Sequence, residues 1–294
     1  MQLSINKKYL PALSRLFSSG VIDNIIANGR SAYMAEVCSN SGFLNQISPS
    51  ESLSEFFNII YTFLFEKYRN EYFYKNTIAN KVLLGKHSLN TAQMLTEFRV
   101  GRCKADVVVL NGTITVYEIK SAFDSFRRLE RQVTEYRKVF DYINVITSAY
   151  QVKKLQSVLG DQIGILVLTN RSTISVVRKA ESNLASIDLQ LLFDSLKKDE
   201  YVSIITKYYG HLPDIPNTRL FKECKRLYCR MPVKTAYHLT INVLRKRTNN
   251  LQLKEYLQKI PTSLTAYALR CGINNRRIEN LTLCLEKPFV SFLT

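Results

Sequence analysis

Histidine is scarce, with 3 in 294 residues. The six cysteines (Cys38, Cys103, Cys224, Cys229, Cys271 and Cys284) form no Cys-x-x-Cys pair and sit near no histidine cluster. This spacing argues against a structural zinc site and predicts reduced, mostly buried thiols of a cytoplasmic protein. Long apolar runs are also missing. The longest, Phe56 to Phe65, is too short and too polar to span a bilayer. The opening MQLSINKKYLPALSRLF has an early basic pair but no sustained apolar core or small-residue cleavage site, so no signal peptide is expected. No lipidation motif or amphipathic anchor points to a membrane.

Acidic residues are few as well: 24 Asp and Glu stand against 41 Lys and Arg, a net charge of +17. Such an excess attracts polyanions, and nucleic acid is the commonest one in a cytosol. A generic basic protein or an anionic-membrane binder is the blander reading of the same charge. A hydrophobic content of 46% and a mean hydropathy of -0.10 describe a soluble globular chain, long enough for a full core and for two domains.

The chemistry gathers between Lys104 and Lys120, KADVVVLNGTITVYEIK. Two β-branched runs flank Asn111-Gly112, the pattern of a hairpin. Both faces are largely apolar, as in central strands covered on both sides. Strand alternation sets Glu118 and Lys120 side by side. Asp106 joins them only in one register parity. A two-residue turn would pair Leu110 with Thr113 and turn Asp106 away. A three-residue loop, Leu110-Asn111-Gly112, pairs Val109 with Thr113 and sets Asp106 opposite Val116, on the face of Glu118 and Lys120. The three-residue loop is expected.

Three charged groups in a buried sheet are costly unless they pair with one another or bind a metal. Two carboxylates form a hard oxygen site of the kind Mg²⁺ uses with phosphate oxygens. A structural ion pair of Lys120 with Asp106 or Glu118 is the simpler alternative.

Asp106 and Glu118-Ile119-Lys120 on a hairpin followed by a helix resemble the PD-(D/E)XK nuclease superfamily. Gln132-Val133-Thr134-Glu135-Tyr136 matches the Gln-x-x-x-Tyr motif of its RecB-like branch. Residues from about Arg69 to Ile146 also resemble a poorly characterised bacterial family within it. The position before Asp106 is Ala105 rather than the motif's proline, which many members also lack. The resemblance implies an α/β fold with a restriction-endonuclease-like αβββαβ core and a central mixed sheet. It implies Mg²⁺- or Mn²⁺-dependent phosphodiester hydrolysis, with Asp106 and Glu118 as metal ligands and Lys120 beside the attacking water. Gln132 and Tyr136 would lie at the active site, and roles in phage defence or DNA repair fall within its range.

Around this core, residues 1–50 read as short helices. Glu51 to about Tyr74 reads as one long amphipathic helix, with Glu71 continuing the stripe of Phe57, Ile60, Tyr61, Leu64 and Tyr68. In several superfamily branches a glutamate on this helix joins the metal, so Glu71 is a third candidate ligand; a solvated first-turn residue is the alternative. Glu97, on a first strand from Thr96 to Val100, is a further carboxylate. His87 reads as a surface or phosphate-contacting residue.

A helix is expected from Ser121 to Asp141, with Arg127, Arg128 and Arg131 flanking its site face as phosphate contacts. A fourth strand follows at Tyr142 to Thr147, then a helix and two more strands. The nuclease-like domain is bounded at 51–182, with a basic helical domain at 183–294. Arg219 to Glu279 carries 14 Lys and Arg against 3 Asp and Glu, a net of +11. A helix-turn-helix is weighed near 262–285, offering Arg276 and Arg277 to DNA, against an ordinary helical hairpin.

Expected partners are nucleic acid, DNA first, and no membrane, with a homodimer left open. The first functional reading is a metal-dependent deoxyribonuclease. A nucleic-acid-binding or regulatory protein with a non-catalytic nuclease fold is the second, and a structure-specific resolvase the third.

Overall fold

The computed structural model describes residues 3–247, 250–270 and 275–293. They fall into two units, Met1–Gly85 with Asn250–Thr294, and Lys86–Asn249. The expected boundaries near 50 and 182 do not coincide with this division, for reasons visible in each unit.

The first unit is helical. Its longest helix, Leu53–Lys67, starts on a capping box: the Ser52 hydroxyl accepts from the Glu55 amide, and the Glu55 carboxylate accepts from that of Ser52. Leu53, Phe56, Phe57, Ile60 and Leu64, at three- and four-residue spacing, are fully buried. Each contributes about 1.5–3 kcal/mol by leaving water. The chain then breaks at Tyr68. Asn70 caps a separate helix, Glu71–Thr77, by accepting from the Tyr72 amide. The single helix expected from Glu51 to Tyr74 is therefore two, because an Asx cap interrupts it.

The chain's last segment completes this unit. Leu53 N–H donates to the Lys287 carbonyl at 2.8 Å, and Phe289 stacks on Phe56 with ring centroids 5.0 Å apart. Buried Asn76 donates to Thr262 O and accepts from Ala266 N. These bonds draw residues beyond 250 away from the helical domain expected at 183–294.

The second unit is α/β, built on one mixed six-stranded sheet in the order β1 to β6. Its strands are β1 (Gln93–Val100), β2 (Cys103–Leu110), β3 (Ile114–Lys120), β4 (Tyr142–Thr147), β5 (Gly164–Leu168) and β6 (Ile174–Arg178). β1, β2 and β3 are antiparallel neighbours, β3, β4 and β5 run parallel, and β6 returns antiparallel. The parallel steps carry helices Leu129–Tyr136 and Val152–Val158. β5 is buried throughout and β4 nearly so, as parallel strands covered on both faces are.

Four further helices belong here: Leu189–Asp194, Lys198–Tyr209, Asn217–Tyr228 and Val233–Leu244. Polar contacts help tie this helical part to the sheet. The Ile114 amide donates to Tyr237 Oη at 2.7 Å. Arg247 bonds buried Glu200 and lies 5.4 Å from the Phe98 ring. The basic stretch is accordingly divided: Arg219 to Asn249, in this unit, has nine Lys and Arg against one Asp or Glu, a net of +8.

The hairpin loop has the expected three residues but is shifted along the chain. Leu110 pairs with Ile114, leaving Asn111-Gly112-Thr113 as the loop with Gly112 at φ 67°. The expected Val109–Thr113 pairing would leave Leu110 in the loop. The observed one buries both Leu110 and Ile114 and leaves Thr113 half-exposed. The parity is unchanged, so Asp106 stays on the face of Glu118 and Lys120. Its register position is now across from Glu118 rather than Val116.

Candidate functional site

β2 and β3 part company where the charges sit. Their ladder ends at Val107–Tyr117, whereas β3 stays paired with β4 as far as Lys120–Thr147. Beyond that point the Asp106 side chain takes the place of a strand partner, its Oδ2 accepting from the Ile119 amide at 2.8 Å. Asp106 is half-buried, Glu118 only 1% exposed and Lys120 8% exposed.

A buried carboxylate needs donors, and Glu118 has three. Its Oε1 accepts from Lys120 Nζ at 2.9 Å and from Gln132 Nε2 at 2.6 Å. Its Oε2 accepts from the Tyr136 hydroxyl at 2.7 Å. Lys120 Nζ also reaches Gln132 Oε1 at 3.0 Å, closing a triangle. Gln132 and Tyr136, four apart on one helix, come down on the same side. Burial first, then the Glu118 charge, push the Tyr136 phenol well above its ordinary range, so it remains a donor. The Lys120–Glu118 pair weighed from sequence is thus formed, as part of a larger network.

Residues Ser121 to Arg128 are not helical, and the helix starts at Leu129 instead of Ser121. Asp124 folds back to accept from the Ser121 amide and hydroxyl, which satisfies a turn rather than opening a helix. Arg127, Arg128 and Arg131 are exposed. Arg128 and Arg131 join Arg102, Cys103, Lys104 and Gln132 around a cleft of about 300 Å³ beside the network. Arg102 stands in the turn before β2 and Lys104 on β2 itself. Their charge, two positions apart around the hairpin's entry, was the available signal. The Cys103 thiol is pushed up, chiefly by burial with Arg131 opposing, which makes it a poor nucleophile at neutral pH.

Glu71 does not continue a buried stripe. It lies in the other unit, in the first turn of its helix, paired with Lys75 and 51% exposed. That is the solvated first-turn alternative. Glu97 has φ 56° and interrupts the β1–β2 ladder at the register position across from Asp106. Its side chain is 59% exposed and meets Lys104 at 2.9 Å. The Asn111 side-chain amide donates to His87 Nδ1 at 2.9 Å, so His87 braces the hairpin loop. Arg276 is exposed on helix Asn275–Leu285, and Arg277 lies 3.7 Å from Asp23. Residues 271–274, the turn of the weighed helix-turn-helix, lie outside the described residues.

A metal can be tested against this donor set. No group of three His, Cys, Asp or Glu close enough to share an ion occurs among the described residues. The chain offers two carboxylates, and Glu118 retains acceptor capacity on Oε2 beside its bond from Tyr136. Two hard oxygen ligands fit Mg²⁺, which keeps water and phosphate oxygens in its other positions.

The family model for bacteriophage P4 protein cII matches residues 65–272, well over half of the chain and the whole of this site. The chain belongs to the bacteriophage P4 protein cII family. Protein cII of Enterobacteria phage P4 is 21% identical to it over 183 residues, 58% of this chain and 69% of that protein. Among solved structures, the SPO1766 protein of unknown function from Silicibacter pomeroyi is 23% identical. That likeness covers 32% of this cII-family chain and 62% of the other, with a TM-score of 0.26. No described helix of the cII-family chain is long and apolar enough to cross a membrane.

Proposed function

We propose that this cII-family chain is a metal-dependent nuclease acting on DNA, with a restriction-endonuclease-like core formed by β1 to β5 and the helices between them. The observation that carries the reading is the convergence of Glu118, Lys120, Gln132 and Tyr136, with Asp106 across the parted strands. A merely structural Lys–Glu pair does not require a glutamine, a tyrosine and a second carboxylate at the same gap.

A divalent ion held by Asp106 and Glu118 would supply an activated water and offset negative charge on the phosphate. The chain's own groups do the rest. Gln132 and Tyr136 hold the Glu118 carboxylate in one orientation. Lys120 places a positive charge where a pentavalent phosphate gains negative charge. Arg128, Arg131, Arg102 and Lys104 line the adjoining cleft with positive charge that positions the phosphate backbone.

The test is digestion of circular and linear DNA with Mg²⁺ or Mn²⁺ by wild type, Asp106→Asn and Lys120→Ala. In Asp106→Asn the new side-chain carbonyl can still accept from the Ile119 amide, so the fold is kept while the charge is lost. Both variants should bind DNA and fail to cleave it. Cleavage by both at the wild-type rate rejects the assignment.

A second reading has its own observation. Three of the roughly four acceptor positions of Glu118 are taken by the protein itself. A nucleic-acid-binding protein with a structural network would look the same, and metal-independent binding without any cleavage by wild type would favour it.

A further inference from the structure

Two aromatic side chains are largely exposed at the carboxyl ends of β3 and β4. Phe123 is 59% exposed and Tyr150 69%, more than any other aromatic side chain among the described residues. The sheet brings the segments that carry them side by side. Lys120 pairs with Thr147, and each ring lies three residues beyond its strand's member of that pair. The Thr147 hydroxyl donates to the Lys120 carbonyl at 2.7 Å. The Gln151 side-chain amide lies 3.2 Å from the carbonyl oxygens of both Lys120 and Ser121, within donating reach of its nitrogen when that nitrogen faces β3. Tyr150 is thus one residue, and Phe123 two, from groups in direct contact.

The same rim is cationic. Arg127, Arg128, Lys153 and Lys154 are all exposed. Lys154 Nζ sits 5.2 Å from the Phe126 ring, which joins the loop after β3 to the helix after β4. Glu118 and Lys120 lie just behind this rim on β3.

Exposed aromatics among cations match the chemistry of an unpaired nucleic-acid strand. The cations follow the phosphates, and each ring stacks on a base face. In a duplex those faces are covered by neighbouring bases. We infer that the site receives an unpaired strand, with Phe123 and Tyr150 stacking on successive bases and leading the backbone toward Glu118 and Lys120. This deepens the nuclease proposal and rests on it for the identity of the polymer.

The experiment is a binding titration of the full chain, in EDTA so that no cleavage occurs. The probe is a fluorescein-labelled mixed-sequence DNA strand, alone and annealed to its complement. Wild type should prefer the single strand. Phe123→Ala and Tyr150→Ala should each weaken single-strand binding by about five- to 150-fold, the span of one base–aromatic stack. Duplex binding should stay unchanged, and Tyr150→Trp should restore the single strand. Equal single-strand affinity in wild type and both alanine variants, or tighter binding of the duplex by wild type, overturns the inference and leaves the nuclease proposal standing. Failure of wild type to bind either probe overturns both.

Discussion

Removal of the Tyr136 hydroxyl isolates one bond of the network. In Tyr136→Phe the ring still packs on Phe140, 5.4 Å away between centroids, so little volume is lost. What disappears is the donor to Glu118 Oε2 at 2.7 Å, shared with the Lys104 carbonyl at 3.1 Å. Glu118 is 1% exposed, so water does not readily replace it. A hydrogen bond to a charged group contributes about 1.5–3 kcal/mol. For a chain of this size each kcal/mol moves the melting temperature by roughly 2–4 °C, so a fall of about 3–12 °C is expected. Thermal unfolding by circular dichroism measures it. A double-mutant cycle with Glu118→Gln then asks whether the hydroxyl acts through the carboxylate, with a coupling of about 0.5–3 kcal/mol expected. The pH dependence has a sign. The phenol's pKa is raised in the fold, by burial and then by Glu118, so its contribution is fully present below the ordinary tyrosine pKa of about 10 and is lost as pH rises from there through the raised value. An unchanged melting temperature, or strictly additive losses in the cycle, would refute the network.

Three further outcomes are expected. Gly164→Ala should destabilise the sheet by about 1–3 kcal/mol, because a Cβ there runs into Asn144 Oδ1 and meets the Ala180 amide nitrogen at 2.9 Å; denaturant titration checks it. Burial raises the Asp23 carboxyl, but Arg270 and Tyr267 outweigh it and hold the group below its usual range. Its stabilisation is therefore present near neutral pH and lost in acid, so the deficit of Asp23→Asn in thermal unfolding should shrink as pH falls through that lowered value. Arg128→Ala with Arg131→Ala should weaken single-strand binding and reduce its salt slope by about 0.7 per lost phosphate contact, read from affinities over a salt series.

Much of the sheet was legible because its signals are local. β-Branched runs, Asn111-Gly112 and the strand-and-helix alternation after Lys120 each report on a few neighbouring residues. The parity that sets Asp106 with Glu118 and Lys120 was readable too, since it depends only on loop length. The pairing itself was not, because burial of Leu110 against Ile114 shifted the loop by one residue. The place of Glu71 was open between two readings for a similar reason: the spacing of the apolar stripe carries past Asn70, and only the Asn70 cap starts a new helix there, with Glu71 in its solvated first turn.

The amino-acid order alone determined which chemistry was at hand: two acids and a lysine on one hairpin face, a glutamine and tyrosine one helical turn apart, and a large basic excess. Only the folded chain decided that Gln132 and Tyr136 both end on Glu118, that Arg102 and Lys104 share a cleft with Arg128 and Arg131, and that residues beyond 250 return to the N-terminal helices. Those arrangements come from contacts between distant segments, where burial and hydrogen-bond satisfaction are settled together, and no local pattern encodes them.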